Sequence, residues 1–98
     1  MEITKNKDGG KLEIKVSGRL DTTTAPQLDE EVKSSIDGVT DMVFNLADLE
    51  YISSAGLRVL LASQKTMNKQ GEMKVTAVSE PVMEIFEVTG FSEILTIE

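Results

Sequence analysis

The chain is 98 residues long, 40% hydrophobic and 28% charged, with a formal net charge of -7, which is material for a single domain spanning residues 1–98. It contains neither cysteine nor histidine, and this excludes disulfides, thiolate nucleophiles, sulfur- or imidazole-held metal, a Ser-His-Asp triad and a phosphohistidine. The acidic balance, with no Lys/Arg cluster, argues against nucleic acid. The lack of a signal-like start, or of an apolar run of roughly 20 residues, predicts a cytoplasmic chain that does not enter a membrane.

The first elements form a hairpin. Leu12, Ile14 and Val16 alternate with Lys11, Glu13, Lys15 and Ser17, the period-2 pattern of a half-buried strand. Asp8-Gly9-Gly10 supplies a turn, and Ile3 with its neighbours supplies the preceding strand. Ala25, Leu28, Val32 and Ile36 then fall on one helical face. Thr24 and Gln27 have the spacing of a capping box, Pro26 suits a first turn, and Gly38 is the expected terminator.

Met42 to Leu46 is a short apolar run, read as a strand covered on both faces. A helix is expected from about Ser54 to Lys69, with Leu57, Leu60, Leu61 and Gln64 inward and Gly71 at its end. "GEMKVTAVS" reads as a strand, "EPVMEIFEVTG" as a short helix and "FSEILTIE" as a last strand. The order β-β-α-β-α-β-α-β predicts an α/β fold: a mixed, mainly parallel sheet of four to five strands with three to four helices.

Ligands of open α/β sheets gather beyond the carboxyl ends of the parallel strands. That points to the loops Gly18–Thr24, Leu46–Gly56 and Ser79–Pro81. "GRLDTTT" sets Asp21 and three hydroxyls before a helix, as a capping cluster or as part of a site. In Ser53-Ser54-Ala55-Gly56 a serine is either a helix cap, contributing about 1 kcal/mol, or an anion or modification site facing the positive end of the helix. Gly56 in a first turn is unfavourable by about 1 kcal/mol relative to alanine, so something must approach it closely. No P-loop or nucleophile-elbow spacing is present.

Other features read as structural. Asp29, Glu30 and Glu31 form a solvated helix face, and Asp48 and Glu50 are loop acids. Met42, Met67, Met73 and Met83 fill the core, and Phe86 and Phe91 pack the last helix against the sheet. Tyr51 is a half-buried strand-end aromatic or a partner contact. No metal site and no cofactor is expected.

Three stretches, in the right order along almost the whole chain, resemble the STAS domains, specifically the single-domain bacterial anti-sigma factor antagonists. "VSGRLDTTTAPQL" is similar to the family's G-x-L-D segment, "MVFNLADLEYISSAGLRVLL" to its strand, N-L segment and D-S-[ST]-G-L motif, and "GEMKVTAVSEPVMEIFEVTGFSEILTI" to its closing strand, helix and turn. The resemblance implies a non-enzymatic protein-binding switch. The serine two positions before the motif glycine, Ser54 here, would be phosphorylated by an anti-sigma factor that is also a serine kinase, with Ser53 as the alternative acceptor. The unmodified form would bind that kinase and the phosphorylated form would release it, with a PP2C-type phosphatase resetting the switch. Asp21, Thr22, Asn45, Ser53, Ser54, Ala55 and Gly56 are the partner contacts it implies, and nothing in the pattern demands more than a monomer. The chain departs from the pattern at Ser53, where the family has Asp, and at Ala55, where it has Ser or Thr. A phosphorylation-independent scaffold and a small-ligand sensor are the competing readings.

Overall fold

The structure, a computed structural model, describes residues 1–98. Strand β1 (Glu2–Asp8) pairs antiparallel with β2 (Lys11–Leu20). Helix α1 (Ala25–Ser35), strand β3 (Asp41–Asn45), strand β4 (Leu49–Ile52), helix α2 (Ser54–Gln70), strand β5 (Glu72–Thr76) and helix α3 (Glu80–Thr89) follow. The sheet runs β1-β2-β3-β5, with β4 pairing β2. All pairings other than β1 with β2 are parallel.

β2 organises the sheet because it is long enough to serve two parallel partners. Its first half pairs with β3, from Lys11↔Asp41 to Lys15↔Asn45, and its last residues pair with β4, at Gly18↔Leu49, Arg19↔Tyr51 and Leu20↔Ile52. The ladder slips between Gly18 and Arg19, where Gly18 adopts φ +83°, a conformation open to glycine that lets a strand bulge. The Gly18 N–H donates to the Asp48 carbonyl at 2.9 Å.

Twenty-three buried apolar residues make one cluster. Leu12, Ile14, Val16, Met42, Phe44, Met73 and Val75 contribute one face of the sheet, and Leu28, Val32, Leu57, Leu60 and Met67 contribute the inner sides of α1 and α2. The opposite face carries Glu13, Lys15, Val43, Asn45, Lys74 and Thr76, none of them buried. The expectation that β3 is covered on both faces is therefore corrected. Asp41, Val43 and Asn45 alternate with buried Met42 and Phe44, so the strand has a period of 2 and one helical layer.

Five other expectations change. Leu49–Ile52, read as loop, is a strand whose outer residues Leu49 and Ile52 are buried while Glu50 and Tyr51 are exposed. The expected last strand is a 3-10 turn at Phe91–Glu93 and a single bridge, Val75↔Ile97. In its place Leu95 joins the core. α1 stops at Ser35, before Gly38, and Leu61 is only partly buried while Val59 and Ser63 point inward. Thr24 makes no cap hydrogen bond to α1, so the capping box does not form.

Candidate functional site

The carboxyl ends of β2 and β4 lie side by side, and each leads into a helix. The Ser53 N–H donates to the Leu20 carbonyl at 2.8 Å, and the Ser53 carbonyl accepts from Leu57 N–H at 2.9 Å. The residue that enters α2 is thus tied to the end of β2 on one side and to its own helix on the other.

After Leu20 the chain turns on Asp21. Its carboxylate accepts from the Thr23 hydroxyl at 2.8 Å, the Thr23 N–H at 3.0 Å and the Thr24 N–H at 3.2 Å. The Thr24 oxygen, turned away from the helix, accepts from Asp21 N–H at 2.8 Å and lies 3.0 Å from the Arg19 carbonyl. The hydrogen bond from the Thr23 hydroxyl leads the causes that hold the Asp21 carboxyl below its ordinary 3.8, since these donors favour the charged form. Asp21 therefore holds a turn as a carboxylate, and this closed network accounts for the polar cluster "DTTT".

The two serines differ. Ser53 is the N-cap of α2, with extended backbone, yet its side chain caps nothing and its hydroxyl oxygen is buried without a hydrogen-bond partner. Ser54 is the first residue of the helix and is exposed. The capping reading of this pair is thereby corrected: the N-cap is Ser53, without a side-chain cap, and Ser54 is not a cap.

Gly56 is buried, its α-carbon against the Leu20 and Ile52 side chains. Its missing side chain is required by the chain's own packing, where two core side chains supply the close approach expected of a backbone or a partner. Ala55 is partly buried and Thr22 exposed. They meet on an open groove of about 350 Å³ between the starts of α1 and α2, lined also by Ala25, Pro26, Asp29, Arg58 and Val59. Asn45 stands apart: its side chain accepts from Ala47 N–H at 3.0 Å, and its neighbours in register are Lys15 and Thr76.

Two charged features were not legible as site residues. Asp29, read as part of a solvated face, lines the groove and is ion-paired to Lys33 at 2.8 Å. Arg58 lines it from α2, and its position one turn after Ser54 was the available signal. Tyr51 is exposed, not half-buried, with the Arg19 guanidinium 4.4 Å from its ring centroid. No group of acids could hold a metal ion, and no helix is long and apolar enough to cross a membrane.

Residues 2–98 match the STAS domain family. The chain is 36% identical to BtrV of Bordetella bronchiseptica, described as a candidate anti-sigma factor antagonist, over 99% of this chain and 85% of that protein. It is 35% identical to the anti-sigma-B factor antagonist of Staphylococcus aureus over 85% of this chain and 79% of that one. Its fold matches the Bacillus anti-sigma factor antagonist SpoIIAA, solved unphosphorylated (TM-score 0.79, 17% identity, 99% of this chain and 87% of that one) and phosphorylated (TM-score 0.77, 17% identity, 99% and 91%). A sheet of five strands with three helices, an end-to-end family match and relatives of this kind give one conclusion: the chain belongs to the STAS domain family, among the non-enzymatic anti-sigma factor antagonists.

Proposed function

We propose that this protein is a cytoplasmic anti-sigma factor antagonist whose binding to an anti-sigma factor with serine kinase activity is switched by phosphorylation of Ser54. The observation that carries the reading is the contrast between neighbouring hydroxyls: Ser54 is exposed at the head of α2, while the Ser53 oxygen is buried. A kinase can reach the first and not the second. Asp21 shapes the turn beside the groove, and Thr22 and Ala55 form part of its wall; these are the contacts we assign to the partner, with Ser53 and Gly56 behind the surface and Asn45 as a separate contact outside the groove.

In the modification step the partner brings ATP. The Ser54 oxygen attacks the γ-phosphorus, a new O–P bond forms, ADP leaves with the bridging oxygen, and the hydroxyl proton passes to a base on the kinase. A PP2C-type phosphatase reverses the step by hydrolysis. The new dianion, of charge about -1.5 to -2, must be desolvated if the groove is to stay covered. Moving a complex from mostly bound to mostly free requires about 5.5 kcal/mol of differential free energy, within reach of one buried, unpaired phosphate.

The test is to incubate the protein with the candidate kinase and ATP, map the phosphate by mass spectrometry in wild type, Ser53→Ala and Ser54→Ala, and titrate both forms against the kinase calorimetrically. Label should vanish only in Ser54→Ala, and affinity should drop by about ten-thousandfold on phosphorylation, the equivalent of that 5.5 kcal/mol. Label that survives in Ser54→Ala and is lost in Ser53→Ala reverses the assignment. One feature favours a second reading, a constitutive scaffold: Ser53 occupies the position of the family's usual acid. Equal affinity of the two forms for the partner supports that reading.

A further inference from the structure

Arg58 lies one helical turn after Ser54, and side chains at that spacing meet on the same stripe of a helix, with the acid-first, base-second order the favourable one. It is exposed and projects onto the groove between α1 and α2. Its charge is uncommitted. The ion pairs of the molecule are Lys5–Glu31, Lys15–Asp48, Lys33–Asp29 and Lys74–Glu98, and the other arginine, Arg19, lies over Tyr51. Asp29, the one carboxylate lining the groove, is held by Lys33 at 2.8 Å and leaves Arg58 without an internal counter-ion. Of the cations outside these ion pairs, Arg58 is the one that stands four residues after the exposed Ser54 and lines the groove.

We propose that Arg58 is the built-in counter-ion of phosphorylated Ser54, and that the phosphate draws the guanidinium out of the groove. This rests on Ser54 being the modified residue. A guanidinium offers a planar fork of N–H donors suited to phosphate oxygens, and the four-residue spacing brings the two groups within reach without any change in backbone. Phosphorylation then acts twice on the docking groove. It adds a dianion at one end and removes the cation that an acidic group of the partner would have met. The pairing also stabilises the dianionic phosphate relative to its monoanion, which gives the interaction a signature independent of any partner.

The experiment installs phosphoserine at position 54 of the full chain during translation, so no kinase is needed, and follows the phosphate by phosphorus NMR from acid to neutral pH. The second phosphate pKa, ordinarily about 6, is expected to lie about 0.2–0.4 unit lower in wild type than in Arg58→Gln. Arg58→Lys, which keeps the charge and loses the fork, should fall between them. Lys65→Gln, which removes an equal charge from the exposed side of α2 farther along, should leave the curve unmoved, and added salt should narrow the gap between wild type and Arg58→Gln. Superimposable curves for wild type and Arg58→Gln, or an equal shift from Lys65→Gln, overturn the proposal. Failure of any kinase to modify Ser54 would instead remove the functional reading above and leave this measurement intact.

Discussion

The α-carbon of Gly56 lies against Leu20: a methyl group placed on it would stand 2.7 Å from Leu20 Cγ and 2.8 Å from Ile52 Cγ1. Both neighbours are core side chains at the ends of β2 and β4. Gly56→Ala should therefore destabilise the fold despite alanine's better helix propensity. Overpacking costs about 1–3 kcal/mol and propensity returns about 1 kcal/mol, a net loss of about 1 kcal/mol at mid-range, seen as a melting temperature roughly 4–8 °C lower. Gly71→Ala should be worse, because its added carbon runs into the Thr40 backbone carbonyl, which cannot rotate aside as a side chain can. Thermal melts of the two variants check the order; a Gly71→Ala protein as stable as wild type refutes the packing account.

Ser53→Ala should be nearly silent. Replacing an N-cap serine usually costs about 1 kcal/mol, but here the hydroxyl makes no cap bond and its oxygen is buried without a partner. Removing it deletes a desolvated polar group and no hydrogen bond. Urea unfolding should give a change within about 0.5 kcal/mol, and a full capping loss would show that the hydroxyl engages the helix in solution.

Asp21 should make stability depend on pH in one direction. Its carboxyl is held below the ordinary 3.8 by the hydrogen bond from the Thr23 hydroxyl first, and by the Thr23 and Thr24 N–H groups. Protonation is thus harder in the folded chain than in the unfolded one. The contribution of the charge is complete above the unfolded value and drains away as pH falls through the folded one. Asp21→Asn should melt below wild type at neutral pH, and the gap should close progressively under acid conditions below 3.8. A gap that persists unchanged at the acid end assigns the effect to something other than this ionisation.

The one-sided sheet separates neighbours in β3. Phe44 is fully buried while Val43 faces the uncovered side. Phe44→Ala should cost about 3–5 kcal/mol, whereas Val43→Thr should stay within about 1 kcal/mol. Comparable losses at both positions would mean that the second face is also packed.

Much of this architecture was legible because periodicity reports burial directly. The hairpin, α1, α2, β5 and α3 follow from it, and α2 spans Ser54–Gln70 where Ser54 to Lys69 was expected. β4 was hidden because four residues with buried ends and exposed middle, Leu49 to Ile52, show neither alternation nor a run. The last segment misled in the opposite sense. Phe91, Ile94, Leu95 and Ile97 have strand-like composition, but Phe91–Glu93 closes as a 3-10 turn off α3. β3 looked covered on both faces because Leu46, buried just past its end, extends the apolar run and blurs an alternation that is present. At the site, residue types were readable and hydrogen-bond partners were not. Thr24 has the sequence of a cap, but its oxygen faces back to Asp21, a choice decided by the turn and invisible to spacing.

Ser53 has both main-chain groups engaged, one by Leu20 and the other by Leu57. The corner that follows it consequently inherits its position from the sheet and owes nothing to whatever approaches. A visitor meets a finished relief, so association carries little ordering penalty. A partner seated on this corner would then be selected by outline and charge, on a backbone already in place.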